Sequence, residues 1–255
     1  MQENKILGID VGASGIKGAI VNLKTGKLLA DRKRVETPKP ATPEAMAGAF
    51  AKLVEMHDYK GVIGCGFPSV VKKGVALTAA NIDKSWIGVS IEKVFSEASG
   101  CEVYATNDAD AAGMAEMTYG AGKKQKGTVL LITLGSGIGT ALFLDGKLAP
   151  NTEFGHTLLH NDIAERYAAS SVKDKLGLSW EEWGGRINEY LCYMERILSP
   201  DLIIIGGGIS RDFENYQSYI TTEARVTPAK ALNAAGTVGA ALYAKHCLSL
   251  KKKGK

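Results

Sequence analysis

The sequence predicts a duplicated α/β protein with two lobes. Two segments of similar design support this prediction. In each, an apolar strand leads into a glycine-rich turn and then into a second apolar strand. Residues 6–21 contain the turn Gly12–Gly18, and residues 129–144 contain the turn Gly135–Gly139. Gly12 and Gly135 are 123 positions apart in a chain of 255 residues, so each half of the chain contains one copy.

The rest of the chain alternates between helix and strand patterns. Apolar residues at helical spacing indicate the helices, and short apolar runs bounded by turn residues indicate the strands. Ser179 and Glu182 form the pattern of a capping box, which opens a helix that stops before Pro200. The predicted elements are helix 43–57, strand 61–67, helix 91–99, strand 102–106, helix 108–119, helix 179–198, strand 202–205 and helix 239–246, with a frayed tail at 251–255.

These elements divide into two predicted lobes. The first lobe covers residues 1–107 and the second covers residues 108–235. The closing helix, at about 236–247, is a candidate to pack back onto the first lobe.

Composition excludes several classes of protein. Hydrophobic residues make up 45% of the chain and charged residues 23%, which is typical of a globular protein. The apolar runs are too short for a membrane span, and the polar start Met1–Lys5 lacks the apolar region of a secretory signal, so we expect a cytoplasmic protein. The net charge of +4 is too weak for a dedicated nucleic-acid binder, although it suits a smaller polyanion. The four cysteines are far apart and are interpreted as reduced thiols.

The glycine turns are candidate phosphate sites, because glycine allows backbone N–H groups to approach an anion closely. Neither turn matches the Walker A or the dinucleotide-binding pattern, since both lead into strands. Ordinary tight hairpins are the alternative. The hydroxyls of Ser14, Ser136 and Thr140 favour phosphate binding, and so does Lys17, for which a surface lysine is the alternative. A third run, Gly206–Gly208, follows a buried strand, and its alternative is a close strand-to-helix turn.

Acidic residues mark a second kind of candidate site. Asp108 stands where a predicted strand ends and a helix begins, the position at which open α/β sheets place their ligands. It is therefore a candidate general base, with a helix-terminal carboxylate as the alternative. Glu153, His156 and Glu165 follow the second glycine turn. Carboxylates and a neutral histidine are suited to bind sugar hydroxyls.

Together these motifs resemble the ROK sugar kinases, which have the actin/hexokinase-like (ribonuclease H-like) fold with a cleft between two lobes. The similarity extends from about residue 6 to residue 244. Within the family the chain is most similar to the enzymes that use polyphosphate to phosphorylate glucose. The motifs of the family are residues 9–17, 107–109, 134–139 and 153–156, and the motifs of that subgroup are residues 66–69, 78–86 and 178–183.

The resemblance implies phosphorylation of glucose at the 6-hydroxyl, with polyphosphate and also ATP as possible donors. Asp108 would be the catalytic base, and Asp10 would hold Mg²⁺ directly or through water. Homodimers are expected, without nucleic-acid or membrane partners. The implied sugar-binding residues are Asn81, Asn107, Glu153, His156 and Glu165. The implied donor-binding residues are Asp10, Gly12, Ala13, Ser14, Gly15, Lys17, Thr133, Gly135, Ser136, Gly137, Gly207 and Gly208.

One departure from the family concerns zinc. Most ROK kinases bind zinc through a histidine and a cluster of cysteines that follow the Glu-x-Gly-His motif. Here the first cysteine after His156 is Cys192, so we expect no zinc site and interpret His156 as a sugar contact. His160 is interpreted as a surface or hairpin histidine.

Two alternatives to this function stay open. One is an ATP-dependent ROK kinase for another hexose or an N-acetylated amino sugar. The other is a non-catalytic sugar-responsive regulator. That class places a helix-turn-helix domain ahead of the kinase-like part, whereas here the first strand is predicted from about residue 5.

Two further features bear on partners. The helix after Ser179 carries Trp180, Trp183, Tyr190 and Tyr193, which is more aromatic surface than one lobe is expected to bury; a subunit interface is therefore predicted, with monomer core as the alternative. The basic segment formed by Lys123, Lys124 and Lys126 precedes the strand that feeds Gly135–Gly139. It is a candidate lining for a polyphosphate path, and a solvated turn is the alternative. Lys72 and Lys73 are weaker candidates for that lining.

Overall fold

A computed structural model describes residues 4–80, 82–231 and 234–253. The chain forms two compact units. The first unit consists of Met1–Ala115 with Ala234–Lys255, and the second consists of Glu116–Asn233. The units divide after Ala115, inside a helix, whereas the sequence prediction divides the lobes between residues 107 and 108. Each unit is built around its own sheet.

The sheet of the first unit has the strand order β3-β2-β1-β4-β7. β1 and β2 form an antiparallel hairpin, while β4 and β7 run parallel to β1. β5 and β6 form a separate small hairpin. The strands are β1 (Lys5–Val11), β2 (Gly15–Asn22), β3 (Lys33–Glu36), β4 (Ile63–Phe67), β5 (Val71–Lys72), β6 (Val75–Ala76) and β7 (Val103–Asn107).

Two capped helices, α1 (Pro43–Met56) and α2 (Ile91–Ser99), contribute to the apolar core of this unit. The Thr42 side chain caps α1 by accepting a hydrogen bond from the Ala45 N–H, and Ser90 caps α2 in the same way. Phe50 of α1 stacks on Phe95 of α2 with ring centroids 4.1 Å apart. The core therefore joins both helices to strands β1 and β4.

The closing helix α7 (Ala235–Lys253) packs against β1 and β4. Gly64 allows the close approach, because a Cβ there would lie 1.8 Å from the Ala240 backbone oxygen. The helix is longer than the predicted range 239–246 at both ends. Near the C-terminal end of α7, the ammonium of Lys251 bonds the Glu102 carboxylate and lies 5.2 Å from the Tyr104 ring centroid. These contacts hold the last turns of the helix, so the predicted frayed tail is helical up to Lys253.

The sheet of the second unit repeats this design with the order β10-β9-β8-β13-β14. β8 and β9 form the antiparallel hairpin, and β13 and β14 continue the sheet in parallel. The predicted duplication of an α/β unit is confirmed. The strands are β8 (Thr128–Leu134), β9 (Ile138–Leu144), β10 (Lys147–Ala149), β11 (Leu158–Leu159), β12 (Asp162–Ile163), β13 (Leu202–Gly206) and β14 (Arg225–Pro228). The remaining helices are α3 (Asp108–Tyr119), α4 (Glu165–Ala168), α5 (Ser170–Leu176) and α6 (Trp180–Leu198).

Helix α6 begins at the predicted capping box, in which Ser179 and Glu182 exchange hydrogen bonds of 2.8 and 3.1 Å. Trp183 and Tyr190 are fully buried in the core of the second unit. Trp180 stacks on Tyr216, with ring centroids 5.9 Å apart, and Tyr193 packs against the same core. The aromatic surface that suggested a subunit interface is therefore largely used within the unit, and the homodimer stays a prediction. In the part of the chain that the structure describes, no helix has the length and apolar character of a membrane span.

Candidate functional site

The first glycine turn closes the β1–β2 hairpin. The Gly12 N–H donates to the Gly15 oxygen at 3.1 Å, and the Gly15 N–H donates back to the Gly12 oxygen at 3.3 Å. The Thr37 hydroxyl donates to the same Gly12 oxygen at 2.6 Å. Ala13 and Ser14 form the exposed tip of the turn. The base of the turn is therefore fixed by hydrogen bonds, while its tip is open to an anion.

Asp10 lies beside this turn, near the end of β1. The Gly236 backbone is directly against its carboxylate, since a Cβ on Gly236 would lie 2.8 Å from the carboxyl carbon. Burial raises the pKa of Asp10, and the positive charges of Lys17 and Arg32 partly offset that rise. Mg²⁺ usually binds one or two carboxylates together with waters and substrate phosphates. A single carboxylate beside a phosphate-type turn fits that pattern, and the described residues hold no cluster of three metal-binding side chains.

Asn107 and Asp108 lie where β7 runs into α3. The Asn107 Oδ1 accepts hydrogen bonds from the Ala109 and Asp110 N–H groups at 2.9 and 3.1 Å. Its Nδ2 donates to the Ser69 oxygen at 3.0 Å. Asn107 therefore caps the helix and uses both ends of its amide within the first unit. These contacts give Asn107 a positioning role, and the sugar contact that the resemblance assigns to it stays a prediction.

Asp108 is the first residue of α3. It is partly exposed between the buried residues Asn107 and Ala109, and its Oδ1 accepts a hydrogen bond from the Ala109 N–H at 2.8 Å. Since the side chain of Asn107 caps the helix, the Asp108 carboxylate does not have to do so. The other sugar residue assigned to this half, Asn81, lies outside the described residues.

The second glycine turn, between β8 and β9, is held by the start of α5. The Gly135 N–H donates to the Gly137 oxygen at 3.0 Å. The Ser170 hydroxyl donates to the Gly135 oxygen at 3.0 Å, and the Ser171 hydroxyl donates to the Ser136 oxygen at 2.9 Å. These bonds fix the carbonyls of the turn, while Gly135 and Ser136 stay exposed.

The third glycine run lies next to this turn. β13 is parallel to β8, with Gly206 in register with Thr133. Gly207 has φ 83°, and a Cβ on it would lie 2.1 Å from the Leu134 oxygen. The Ser210 hydroxyl closes the run by donating to the Gly207 oxygen at 2.8 Å. The predicted donor residues of this unit therefore meet at the carboxyl edge of one sheet: Thr133, Gly135, Ser136, Gly137, Gly207 and Gly208.

His156 lies between two carboxylates and is itself half-exposed. Its Nδ1 is 3.7 Å from the Glu153 Oε2, and its Nε2 is 3.7 Å from the Glu165 Oε1. The other Glu165 oxygen accepts a hydrogen bond from the Ile138 N–H at 3.3 Å, and a Cβ on Gly137 would lie 2.4 Å from that oxygen. The structure thus brings the acid–histidine cluster of Glu153, His156 and Glu165 directly against the second glycine turn.

Glu153 gives this cluster a testable pH dependence. Burial raises the pKa of its carboxyl; His156 lowers it and Glu165 raises it further. If the carboxylate accepts sugar hydroxyls, its protonation weakens sugar binding. For the glucose phosphorylation that the resemblance implies, we therefore expect the KM for glucose to rise as the pH falls, starting at a higher pH than an ordinary glutamate would give. Initial rates measured from pH 5 to 8 test this expectation.

The matched variants for this measurement are Glu153→Gln and Glu189→Gln. Glu189 is a partly buried glutamate of the same unit that contacts His160, 2.7 Å away, rather than His156. Glu153→Gln should abolish the acid limb of the KM profile, while Glu189→Gln should keep it. An unchanged acid limb in Glu153→Gln would show that another group titrates.

The basic segment Lys123, Lys124 and Lys126 lies away from the second glycine turn. These lysines are exposed and precede the first residue of β8, whereas Gly135 follows its last residue. A strand of this length spans about 20 Å. These lysines therefore lie about one strand length from the turn, at the opposite end of β8, and their place in a polyphosphate path stays a prediction. Lys72 and Lys73 belong to the β5–β6 hairpin of the first unit.

Several residues around the turns were missed by sequence reasoning. Thr37 and Arg34 bond the carbonyls of the first turn, and Ser171 bonds one carbonyl of the second. The paired serines at the start of α5 were a signal for Ser171, and the basic run 32–34 at the start of β3 was a signal for Arg34. His160 bonds Glu189 and packs on Tyr167 with ring centroids 4.7 Å apart, at the predicted surface hairpin.

Comparisons with known proteins show the family and the fold. The sequence model of the ROK family matches residues 6–171, so the chain belongs to the ROK family. The resemblance seen in the motifs is confirmed. The actin/hexokinase-like fold is confirmed as well, because the structure matches a glucokinase of that family from Streptomyces griseus in complex with glucose and AMPPNP. That match has a TM-score of 0.77 at 23% identity and covers 95% of this chain and 99% of the other.

Two further proteins have a higher sequence identity to this chain. The chain is 48% identical over 236 residues to the polyphosphate glucokinase of Mycobacterium tuberculosis (strain CDC 1551 / Oshkosh), covering 92% of this chain and 89% of the relative. The structure also matches the inorganic polyphosphate/ATP-glucomannokinase of Arthrobacter sp. strain KM. That match has a TM-score of 0.92 at 44% identity and covers 95% of this chain and 99% of the other.

Proposed function

We propose that this protein is a kinase that phosphorylates glucose at its 6-hydroxyl, with inorganic polyphosphate or ATP as the phosphoryl donor. The observation that carries the proposal is the acid–histidine cluster built onto a phosphate-type glycine turn. The near full-length similarity to a polyphosphate glucokinase and to a polyphosphate/ATP-glucomannokinase supports both the sugar and the donor.

Each group in the proposed reaction has a distinct task. Asp108 accepts the proton of the attacking hydroxyl as general base, and Asn107 holds it in place by capping α3. Glu153, His156 and Glu165 bind the other sugar hydroxyls. Phosphoryl transfer depends mostly on positioning and on neutralising charge, so precise placement of the sugar hydroxyl is the main contribution of these side chains.

The glycine turns bind the donor phosphates through backbone N–H groups at the tips Ala13–Ser14 and Gly135–Ser136. Lys17 adds positive charge beside the first tip. Asp10 is the residue that would hold Mg²⁺, which supplies neutralisation of the donor phosphates when bound. The absence of a zinc requirement, inferred from the missing cysteines, stays a prediction.

An assay that follows transfer of radiolabelled phosphate from the donor to the sugar tests the proposal, because it detects the phosphorylated product of every sugar. Purified protein is incubated with glucose, mannose or N-acetylglucosamine, and with ATP or long-chain polyphosphate, with and without Mg²⁺. We expect turnover of glucose with polyphosphate that depends on Mg²⁺. Turnover with ATP alone would make the protein an ATP-dependent glucokinase, and turnover of the amino sugar but not of glucose would reject the proposed acceptor.

A further inference from the structure

A row of charged side chains crosses the first sheet beside the first glycine turn. Asp10 of β1 is in register with Lys17 of β2, and Lys17 is in register with Arg34 of β3. Directly opposite residues on antiparallel strands project from the same face of a sheet. The row therefore starts at the Asp10 carboxylate, continues with Lys17 and ends with Arg34 on the edge strand β3. Neighbouring strands of a sheet are about 4.8 Å apart.

The two cations are a source of repulsion that an anion would relieve. Like charges directly opposite each other on paired strands are destabilising. Asp10 faces Lys17 from one side only, and Arg32, two residues before Arg34, adds a further positive charge near Asp10. A polyanion placed along the row would be attracted to all of these cations.

Arg34 also touches the turn itself. Its Nη2 donates to the Ser14 oxygen at 2.7 Å, and a Cβ on Gly15 would lie 2.4 Å from its Nε. The guanidinium therefore lies against Gly15, and yet the residue is exposed to solvent. A guanidinium has five N–H donors in a rigid fork that suits phosphate, and the Ser14 contact uses one of them.

We propose that Arg34 determines donor specificity: together with Lys17 it binds phosphates of a long polyphosphate chain beyond those held by the Gly12–Gly15 turn. The proposal rests on the proposed function and names a further binding residue for it. A nucleoside triphosphate continues past its phosphates as an uncharged sugar and base, which give Arg34 no charge to bind. Polyphosphate continues with a negative charge on every phosphate, so each cation along the row increases its binding affinity.

The variant Arg34→Ala tests the proposal through the KM values for long-chain polyphosphate, tripolyphosphate, ATP and glucose. We expect the KM for the long chain to rise about tenfold, the effect of one charge-assisted contact in a partly solvated place. The KM values for the two short donors and for glucose should change about twofold or less. Because each phosphate contact contributes about one to the salt slope of polyanion binding, the slope for the long chain should fall by about one.

Two controls separate this role from general charge and from local structure. Arg225→Ala removes the same charge from an exposed arginine on β14, in the second unit, and should leave the long-chain KM unchanged. Arg34→Gln removes the charge and keeps an aliphatic stem and a polar end group on the exposed edge strand. It should reproduce the long-chain defect of Arg34→Ala even if the alanine variant folds poorly.

The outcomes are distinct. An equal loss with long chains, tripolyphosphate and ATP would show that Arg34 only braces the turn, and no change with any donor would remove it from the donor path. Either result rejects the assignment of Arg34 and leaves the proposed kinase activity standing. If the parent protein has no turnover with polyphosphate, the proposed donor itself is rejected, and the assignment of Arg34 falls with it.

Discussion

Asp108→Asn should lower kcat by roughly 10²–10⁴-fold, the usual cost of removing a general base. Asparagine has nearly the same shape and can still accept the 2.8 Å hydrogen bond that the Ala109 N–H donates to the Asp108 carboxylate. It cannot take the proton of the sugar hydroxyl. We therefore expect the KM for glucose to stay close to that of the parent and the free energy of unfolding to fall by no more than about 0.3–1 kcal/mol, as measured by steady-state kinetics and urea denaturation.

Glu44→Gln is the matched control, because Glu44 is an exposed carboxylate in the first turn of α1. A carboxylate at a helix N-terminus stabilises the helix by about 0.3–1 kcal/mol. Both variants should lose stability in that range, but only Asp108→Asn should lose turnover. If Asp108→Asn kept parental kcat and lost only stability, Asp108 would be a helix-terminal carboxylate and another base would have to be found.

Much of the fold could be predicted because its determinants are local. The two strand–turn–strand segments each place a glycine turn between apolar runs, and both became hairpins at the centre of their sheets. The capping box at Ser179 and Glu182 depends on residues three positions apart, so the start of α6 could also be predicted from the sequence. The acid–histidine cluster was found for a related reason, since its members follow the second hairpin within thirty residues of it.

Other features depend on contacts between distant segments, which the sequence does not reveal. The lysines before β8 are close to Gly135 in sequence and lie at the other end of the strand. Arg34 is twenty residues from Ser14 and touches its backbone, because β3 pairs with β2. Trp180 finds its stacking partner in Tyr216, so the need for a subunit to cover it could not be judged from α6 alone.

The role of Asn107 shows a different limit. Its side chain type is equally suited to a sugar hydroxyl and to a helix cap, and its position before a helix fits both uses. Only the geometry shows that its amide bonds Ala109, Asp110 and Ser69. Sequence reasoning can therefore locate a site more easily than it can decide which of its residues bind the ligand and which hold other residues in position.

Gly207→Ala should lower the free energy of unfolding by about 3–5 kcal/mol, the range of the most damaging single substitutions. The backbone of Gly207 has φ 83° and ψ 177°, a conformation that is essentially restricted to glycine. A Cβ would also lie 2.1 Å from the Leu134 oxygen, so the end of β8 would have to move. The carboxyl edge that joins the second glycine turn to the third run would be distorted, and turnover should fall with every donor.

Gly208→Ala is the matched control, since a Cβ on Gly208 would meet no atom within 4 Å and its φ is ordinary. Its stability in urea should equal that of the parent. Any rise in its KM for polyphosphate or ATP then shows that the added methyl group hinders donor binding sterically, without a change in the fold. Equal stability of Gly207→Ala and the parent would mean that β8 and β13 do not approach as described. An unchanged donor KM in Gly208→Ala would remove that residue from the donor site while leaving Gly207 as a structural requirement of the edge.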